Sequence, residues 1–310
     1  MIIQVLSTVL PVVTMIVLGM ICRRYNFVSK SCIDGLKRLV VNIMLPTAVF
    51  HSLATTVFTP QMFLNVGVMF AVLCITFALG FVMRPLVDKP YNRYLPFAVS
   101  VYEGGMIGYS LYTGLVGAEN LSVIAVIDIA GLLFTFSIMS NVLILIEDGK
   151  KVSVGEIIKN AFKAPAFLAV VIGITVGLSG LMNLFLATPA GAVWINVNNM
   201  LTVAMSPMIL LVVGYEAKFS KKMIGPCLKT ILIRAVMQAI FAVGVIILLR
   251  TIAGPNHLLE IAIIVYMSLP GSMSIQTFLK DENAGSYIAS SNSLYLIVTI
   301  TVYAILAGVV

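Results

Sequence analysis

The chain has 310 residues, 60% of them apolar and only 10% charged, with a mean hydropathy of +1.09 and a formal net charge of +7. A water-soluble domain needs about a quarter of its positions charged, so this composition excludes one and makes lipid the solvent for most of the surface. In such a chain the positive excess anchors loops on one side of a bilayer and faces anionic headgroups; it does not indicate nucleic acid.

In chain order, apolar runs fall at about 2–22, 35–57, 61–83, 94–117, 121–145, 164–182, 192–217, 228–250, 258–279 and 287–309. Each spans the ~30 Å hydrocarbon layer at about 1.5 Å per helical residue, which predicts ten transmembrane helices. The first run has no basic residue among Met1–Gln4 and no small-residue cleavage site after Cys22, so it is read as a permanent span, not a cleaved signal. Cys22, Cys32, Cys74 and Cys227 show no C-x-x-C spacing and no nearby histidine, the pattern of reduced packing residues. No metal site or cofactor is expected.

Sidedness follows from lysine and arginine. Arg23, Arg24, Lys30, Lys37 and Arg38 follow the first run, Arg84, Lys89 and Arg93 the third, and Lys150, Lys151, Lys159 and Lys163 the fifth. Lys218, Lys221, Lys222, Lys229 and Arg234 follow the seventh and Lys280 the ninth, leaving Arg250 alone on the other side. Basic loops stay cytoplasmic, so this alternation predicts a multi-pass cell-membrane protein with both termini extracytoplasmic. It also predicts no lysine or arginine near the membrane midplane.

Five spans that start outside are followed by five that start inside, so equal halves are inverted. The expected organisation is a first five-helix repeat over 1–148, a cytoplasmic linker over 149–163 and a second, inverted repeat over 164–310. Proline recurs at matching places, Pro46 in the second run and Pro207 in the seventh. The fourth run is interrupted by Tyr102-Glu103-Gly104-Gly105-Met106-Ile107-Gly108-Tyr109-Ser110 and the ninth by Ser268-Leu269-Pro270-Gly271-Ser272-Met273-Ser274-Ile275-Gln276. Interrupted segments at corresponding positions of two halves point to a transporter site at the midplane, where half-helix N-termini attract a carboxylate. The structural reading is that glycine and proline are common in membrane helices, and that Gly104 and Gly108 form a G-x-x-x-G packing face.

Ionisable groups at membrane depth are costly and therefore functional candidates. Glu103 borders the first interruption and Asp128 lies within the fifth run. Glu103 reads either as a carrier of a coupling proton or cation or as a lid on freed backbone N–H groups. Asp128 reads either as a second coupling group or as a hydrogen-bond partner to a neighbouring helix. Polar donors available to an anion are Asn42, Ser206, Ser272, Ser274, Gln276 and Asn292, each of which also serves as a helix-to-helix hydrogen bond.

The stretch Val41-Asn42-Ile43-Met44-Leu45-Pro46, the stretch Ala204-Met205-Ser206-Pro207-Met208 with Gly214, and Tyr266 to Ala289 with Leu269 and Pro270 resemble the auxin efflux carrier family, whose bacterial members include malate and malonate permeases. The resemblance implies an all-α membrane protein of ten transmembrane helices in two inverted five-helix repeats, with broken fourth and ninth helices crossing at the substrate site. It also implies secondary transport of a small organic anion by elevator-like alternating access, with proton or sodium coupling. On that pattern the substrate-binding candidates are Asn42, Glu103, Gly104, Gly105, Gly108, Ser206, Pro270, Gly271, Ser272, Ser274 and Gln276, the ion-coupling candidates Glu103 and Asp128, and the hinges Pro46, Pro207 and Pro270. By fold analogy the first span offers a homodimer face. The chain departs from the family where bacterial carriers carry an asparagine before the glycine-rich stretch: here stands Glu103. A fixed negative charge there repels an anion, so Glu103 is protonated on binding, or holds a cation, or the substrate is itself cationic, such as an amine.

A reading from a different class comes from Gly177-Leu178-Ser179-Gly180, which fits the G-x-S-G pattern of intramembrane serine hydrolases. That chemistry requires His51 or His257 to take the proton of Ser179. A channel or receptor reading lacks rings of like charge or a ligand-binding domain, and no phosphate-binding loop of the G-x-x-x-x-G-K-[ST] type occurs.

Overall fold

The computed structural model describes residues 2–149, 153–217, 221–272, 275, 279 and 281–310. Among these, every regular element is helical: α1 (Ile2–Arg24), α2 (Lys30–Leu39), α3 (Leu45–Ala54), α4 (Pro60–Val82), α5 (Leu95–Ser100), α6 (Tyr109–Val116), α7 (Leu121–Phe134), α8 (Ser140–Asp148), α9 (Val154–Ala161), α10 (Pro165–Ser179), α11 (Leu181–Leu186), α12 (Pro189–Glu216), α13 (Ile224–Ala253), α14 (His257–Met267) and α15 (Glu282–Ala307). Six helical stretches are long and apolar enough to cross a bilayer, at 6–24, 60–82, 118–147, 189–216, 224–253 and 282–307, and the pair 155–161 and 165–179, bent by 85°, makes a seventh. Helix length and composition thus account for six or seven crossings against ten apolar runs, because the second, fourth and ninth runs are interrupted.

Local sequence explains the interruptions. α2 passes into α3 through a π turn at Val40–Met44, in which the Leu45 amide donates to the Val40 carbonyl. Pro46 has no N–H to continue the ordinary ladder, and the register slips by one residue beside it. Between α5 and α6 the chain leaves the helix at Val101, which is extended, and re-enters helix after Glu103 through a second π turn, Gly104–Gly108. α14 stops just before Leu269 and Pro270, where a residue preceding proline is driven out of the helical region. The connection before α10 is itself ordered, since Ser153 and Glu156 form a reciprocal capping box at the start of α9.

The helices pack as two sets. In one, α1 lies along α12, and α3 packs against both α10 and α12. In the other, α4 packs on α5 and α7, α7 on α14, and α13 on α5, α14 and α15. The sets meet where α1 touches α15, α3 touches α7, and α12 touches α6 and its preceding π turn. The second set holds most of the large buried rings, among them Tyr94, Phe97, Tyr109, Tyr112, Phe134, Tyr266 and Tyr287.

Outward faces are apolar. On α13, Leu228, Leu232, Val236, Ile240, Val243 and Ile247 form an exposed stripe, while Cys227, Thr230, Arg234 and Gln238 are buried on another face. A helix that exposes its leucines and buries its polar groups is reversed relative to a water-soluble one, as lipid contact requires.

Candidate functional site at two broken helices

The two interruptions touch. The Glu103 amide donates to the Pro270 carbonyl at 3.0 Å, and the Glu103 carbonyl accepts from Ile107 and Gly108 at 3.2 and 3.1 Å. Gly108 faces Leu269: a β-carbon added to the glycine would stand 2.7 Å from Leu269 Cδ1. A larger residue at 108 would make the Leu269 side chain shift, so the glycine eases the close approach of the two breaks.

Breaking a helix orphans its last carbonyls, and five carbonyls near this contact have side-chain donors. The guanidinium of Arg234, on α13 and only 2% exposed, donates to the carbonyls of Ala98, Val101 and Leu269, the last two at 2.9 Å. Gln238, one turn further along α13, donates to Val99 O at 2.5 Å and accepts from Tyr102 Oη. Thr299 of α15 donates to Ser268 O at 2.6 Å. The rings of Tyr102 and Tyr295 each lie 5.0 Å from the Arg234 guanidinium carbon. One buried cation thus sits at the C-terminal ends of α5 and α14 together, where the helix dipoles are negative.

Asp128, on α7 and 6% exposed, accepts from Tyr109 Oη and Tyr266 Oη, both at 2.8 Å. These tyrosines lie on α6 and α14, so the carboxyl bridges the second half of one broken segment and the first half of the other. Its Cγ is 2.6 Å from the place a β-carbon on Gly104 would take.

A cavity of about 580 Å³ reaches the crossing from the end of the molecule that carries Arg23, Lys30 and Lys37. Ile107, Pro270 and Asn292 line its depth, and the ion pair of Lys37 with Glu216, 2.8 Å long, lies at its mouth. A second cavity of about 560 Å³ opens between the same two helix sets toward the ends of α3 and α6, lined by His51, Thr55, Glu119, Ser122, Asn198 and Asn199 among others.

The apolar helices with lipid-facing stripes are those of a membrane protein, and known proteins say of which family. The profile of the family described as "Membrane transport protein", that of the auxin efflux carriers, matches residues 4–307. The chain belongs to this family. It is also similar to an "Uncharacterized transporter" of Methanothermobacter thermautotrophicus, 25% identical over 221 residues that cover 69% of this chain and 68% of that protein.

Membership makes the auxin efflux carrier homologue a membrane transporter and not an enzyme. The hydrolase reading falls with it: Ser179 Oγ donates to the Val176 carbonyl at 2.8 Å, and His51 Nδ1 accepts from Trp194 Nε1 at 3.0 Å.

Of the residues singled out in the sequence, the structure brings Glu103, Gly104, Gly108, Asp128, Pro270 and Gly271 together at the crossing. Gly105 lies beside Leu45 of α3, and Ser272 follows Gly271 at the end of the described stretch. Asn42 is exposed in the π turn of the second run, Ser206 and Pro46 are half-buried in their helices, and Pro207, expected as a helix break, is exposed within the continuous helix α12, where neighbouring packing carries the turn that lacks its N–H. Ser274 and Gln276 lie outside the described residues.

A further expectation is overturned. Arg234, counted with the basic connections, is the eleventh residue of α13, roughly 15 Å along it at 1.5 Å per residue, and is buried against both breaks. Its signal was in the sequence: Cys227, Thr230, Arg234 and Gln238 recur at helical spacing through a run that, Lys229 apart, is otherwise apolar.

Proposed function

We propose that this auxin efflux carrier homologue is a secondary carrier of a small organic anion, a mono- or dicarboxylate, working by alternating access. Ten crossings arranged as two inverted five-helix halves, with both termini outside, fit the ten apolar runs and the alternation of basic connections. The set that carries both broken segments moves as an elevator against the set built on α1, α3, α10 and α12.

The observation that carries this reading is the pair of cavities. They open toward opposite ends of one interface between the two helix sets, and the deeper wall of one is formed by both breaks. A site reached alternately from two sides by sliding one body along another requires this arrangement. Arg234 and the half-helix ends supply the field for a carboxylate, while Glu103 and Asp128 take up a coupling proton or sodium ion as the substrate enters.

The test is substrate-driven current and uptake by purified protein in liposomes, challenged with malate, malonate, lactate, aromatic acids and cationic amines. A saturable carboxylate response dependent on a proton or sodium gradient is expected. A response to amines alone replaces the anion with a cation and makes Glu103 its counter-charge, a reading that the two acidic groups at the crossing favour.

A further inference from the structure

We infer that Asn292 of α15 is a substrate-contact residue, which donates a hydrogen bond from its side-chain amide to a carboxylate oxygen at the deep end of the cavity. The inference rests on the carrier reading above and adds to it a residue on a helix outside the two breaks.

Asn292 is 8% exposed and lines the cavity beside Ile107 and Pro270. Its Oδ1 lies 2.8 Å from the place a β-carbon on Gly271 would occupy, so the amide packs directly against the break after α14. Its Nδ2 is buried and has no hydrogen-bond partner. A buried amide donor without an acceptor is costly to keep, and rotation of the side-chain amide turns this donor into the cavity that the residue lines, where an occupant supplies the missing acceptor.

The surrounding hydrogen bonds favour one kind of occupant. The nearby carbonyls of the break each accept a hydrogen bond already: Leu269 O from Arg234, Pro270 O from the Glu103 amide, and Ser268 O from Thr299. What the amide of Asn292 adds there is a donor, and a buried cation, Arg234, stands behind Leu269. A group that only accepts, such as an ionised carboxylate, satisfies the Nδ2 donor; an ammonium group, which only donates, leaves it unpaired.

The test uses Asn292→Ala, Asn292→Asp and Asn292→Gln in full-length protein, with kinetics of uptake in liposomes. The probe is malonate, or the best-transported carboxylate of the panel if malonate is not carried. Loss of one such hydrogen bond raises KM about tenfold for Asn292→Ala, leaves Vmax within about twofold, and is partly restored by Asn292→Gln. Asn292→Asp, which swaps the donor for a negative charge at equal size, weakens binding at least as much. The Asn292→Cys variant, in a chain whose four native cysteines are replaced, reacts with an anionic methanethiosulfonate, and the carboxylate slows that reaction.

Unchanged KM in Asn292→Ala and Asn292→Asp, in protein that melts as the wild type does, overturns the inference while leaving the carrier intact. An Asn292→Cys protein that does not react with the reagent also overturns it. Wild-type protein silent to every carboxylate overturns the anion reading and this inference with it, a result distinguished from the first by the wild-type control.

Discussion

Asp128 and Gly104 occupy one space: the carboxyl carbon of Asp128 is 2.6 Å from where a β-carbon on Gly104 would stand. With its oxygens held by Tyr109 and Tyr266, the carboxyl has no room to retreat. The glycine-rich break in the fourth run is therefore shaped around an acid from the fifth.

Gly104→Ala is expected to lower stability in detergent by about 1–3 kcal/mol, the usual cost of overpacking, and to abolish transport. Asp128→Ala in the same chain makes room for the methyl group, so the double variant is more stable than the sum of the single losses implies. A thermal or denaturant unfolding cycle over the four proteins measures this coupling, and simple additivity would refute the packing argument.

Arg234→Gln leaves the carbonyls at two helix ends short of donors in a buried setting. A loss of about 3 kcal/mol is expected, in line with removing one member of a buried charged network. Arg234→Lys restores the charge but not the fork that reaches Ala98, Val101 and Leu269 at once, so it recovers only part of the loss. Equal unfolding midpoints for Lys and Gln would mean that geometry and not charge carries the effect.

Glu103→Gln keeps the backbone bond to Pro270, because that bond uses the main-chain amide. If the side chain takes up the coupling proton, the variant retains saturable carboxylate exchange and loses the dependence of uptake on the pH gradient. Uptake at fixed substrate over pH 5 to about 8 reads this directly, and a pH profile unchanged from wild type assigns coupling elsewhere, with Asp128 next in line.

The two cavities are expected to exchange access. A cysteine at Ala289, in the first cavity, and one at Ser122, in the second, should respond to carboxylate in opposite senses when labelled with a membrane-impermeant thiol reagent. Of the native cysteines only Cys32 is exposed, and all four are free thiols, so a background lacking them is needed. Parallel changes at both sites would argue for a channel-like opening instead of alternation.

The breaks were legible because proline and glycine act locally. Pro270 removes a donor wherever it stands, and Gly104 to Gly108 weaken a helix in any surroundings, so runs four and nine show their interruptions in the sequence and in three dimensions. The family resemblance carried by Pro46, Pro207 and Pro270 rests on the same local chemistry.

Lipid as solvent, all-helical architecture, the ten apolar runs and the positions of the breaks were determined by the sequence itself, since composition and local backbone preference need no partner. Only the tertiary structure decided that the breaks meet at Glu103 and Pro270, that Asp128 lies against Gly104, and that Arg234 belongs to the crossing and not to a loop. The physical reason is that an orphaned carbonyl can be satisfied by any donor the fold brings within about 3 Å, and the chain separates Arg234 from Val101 by 133 residues.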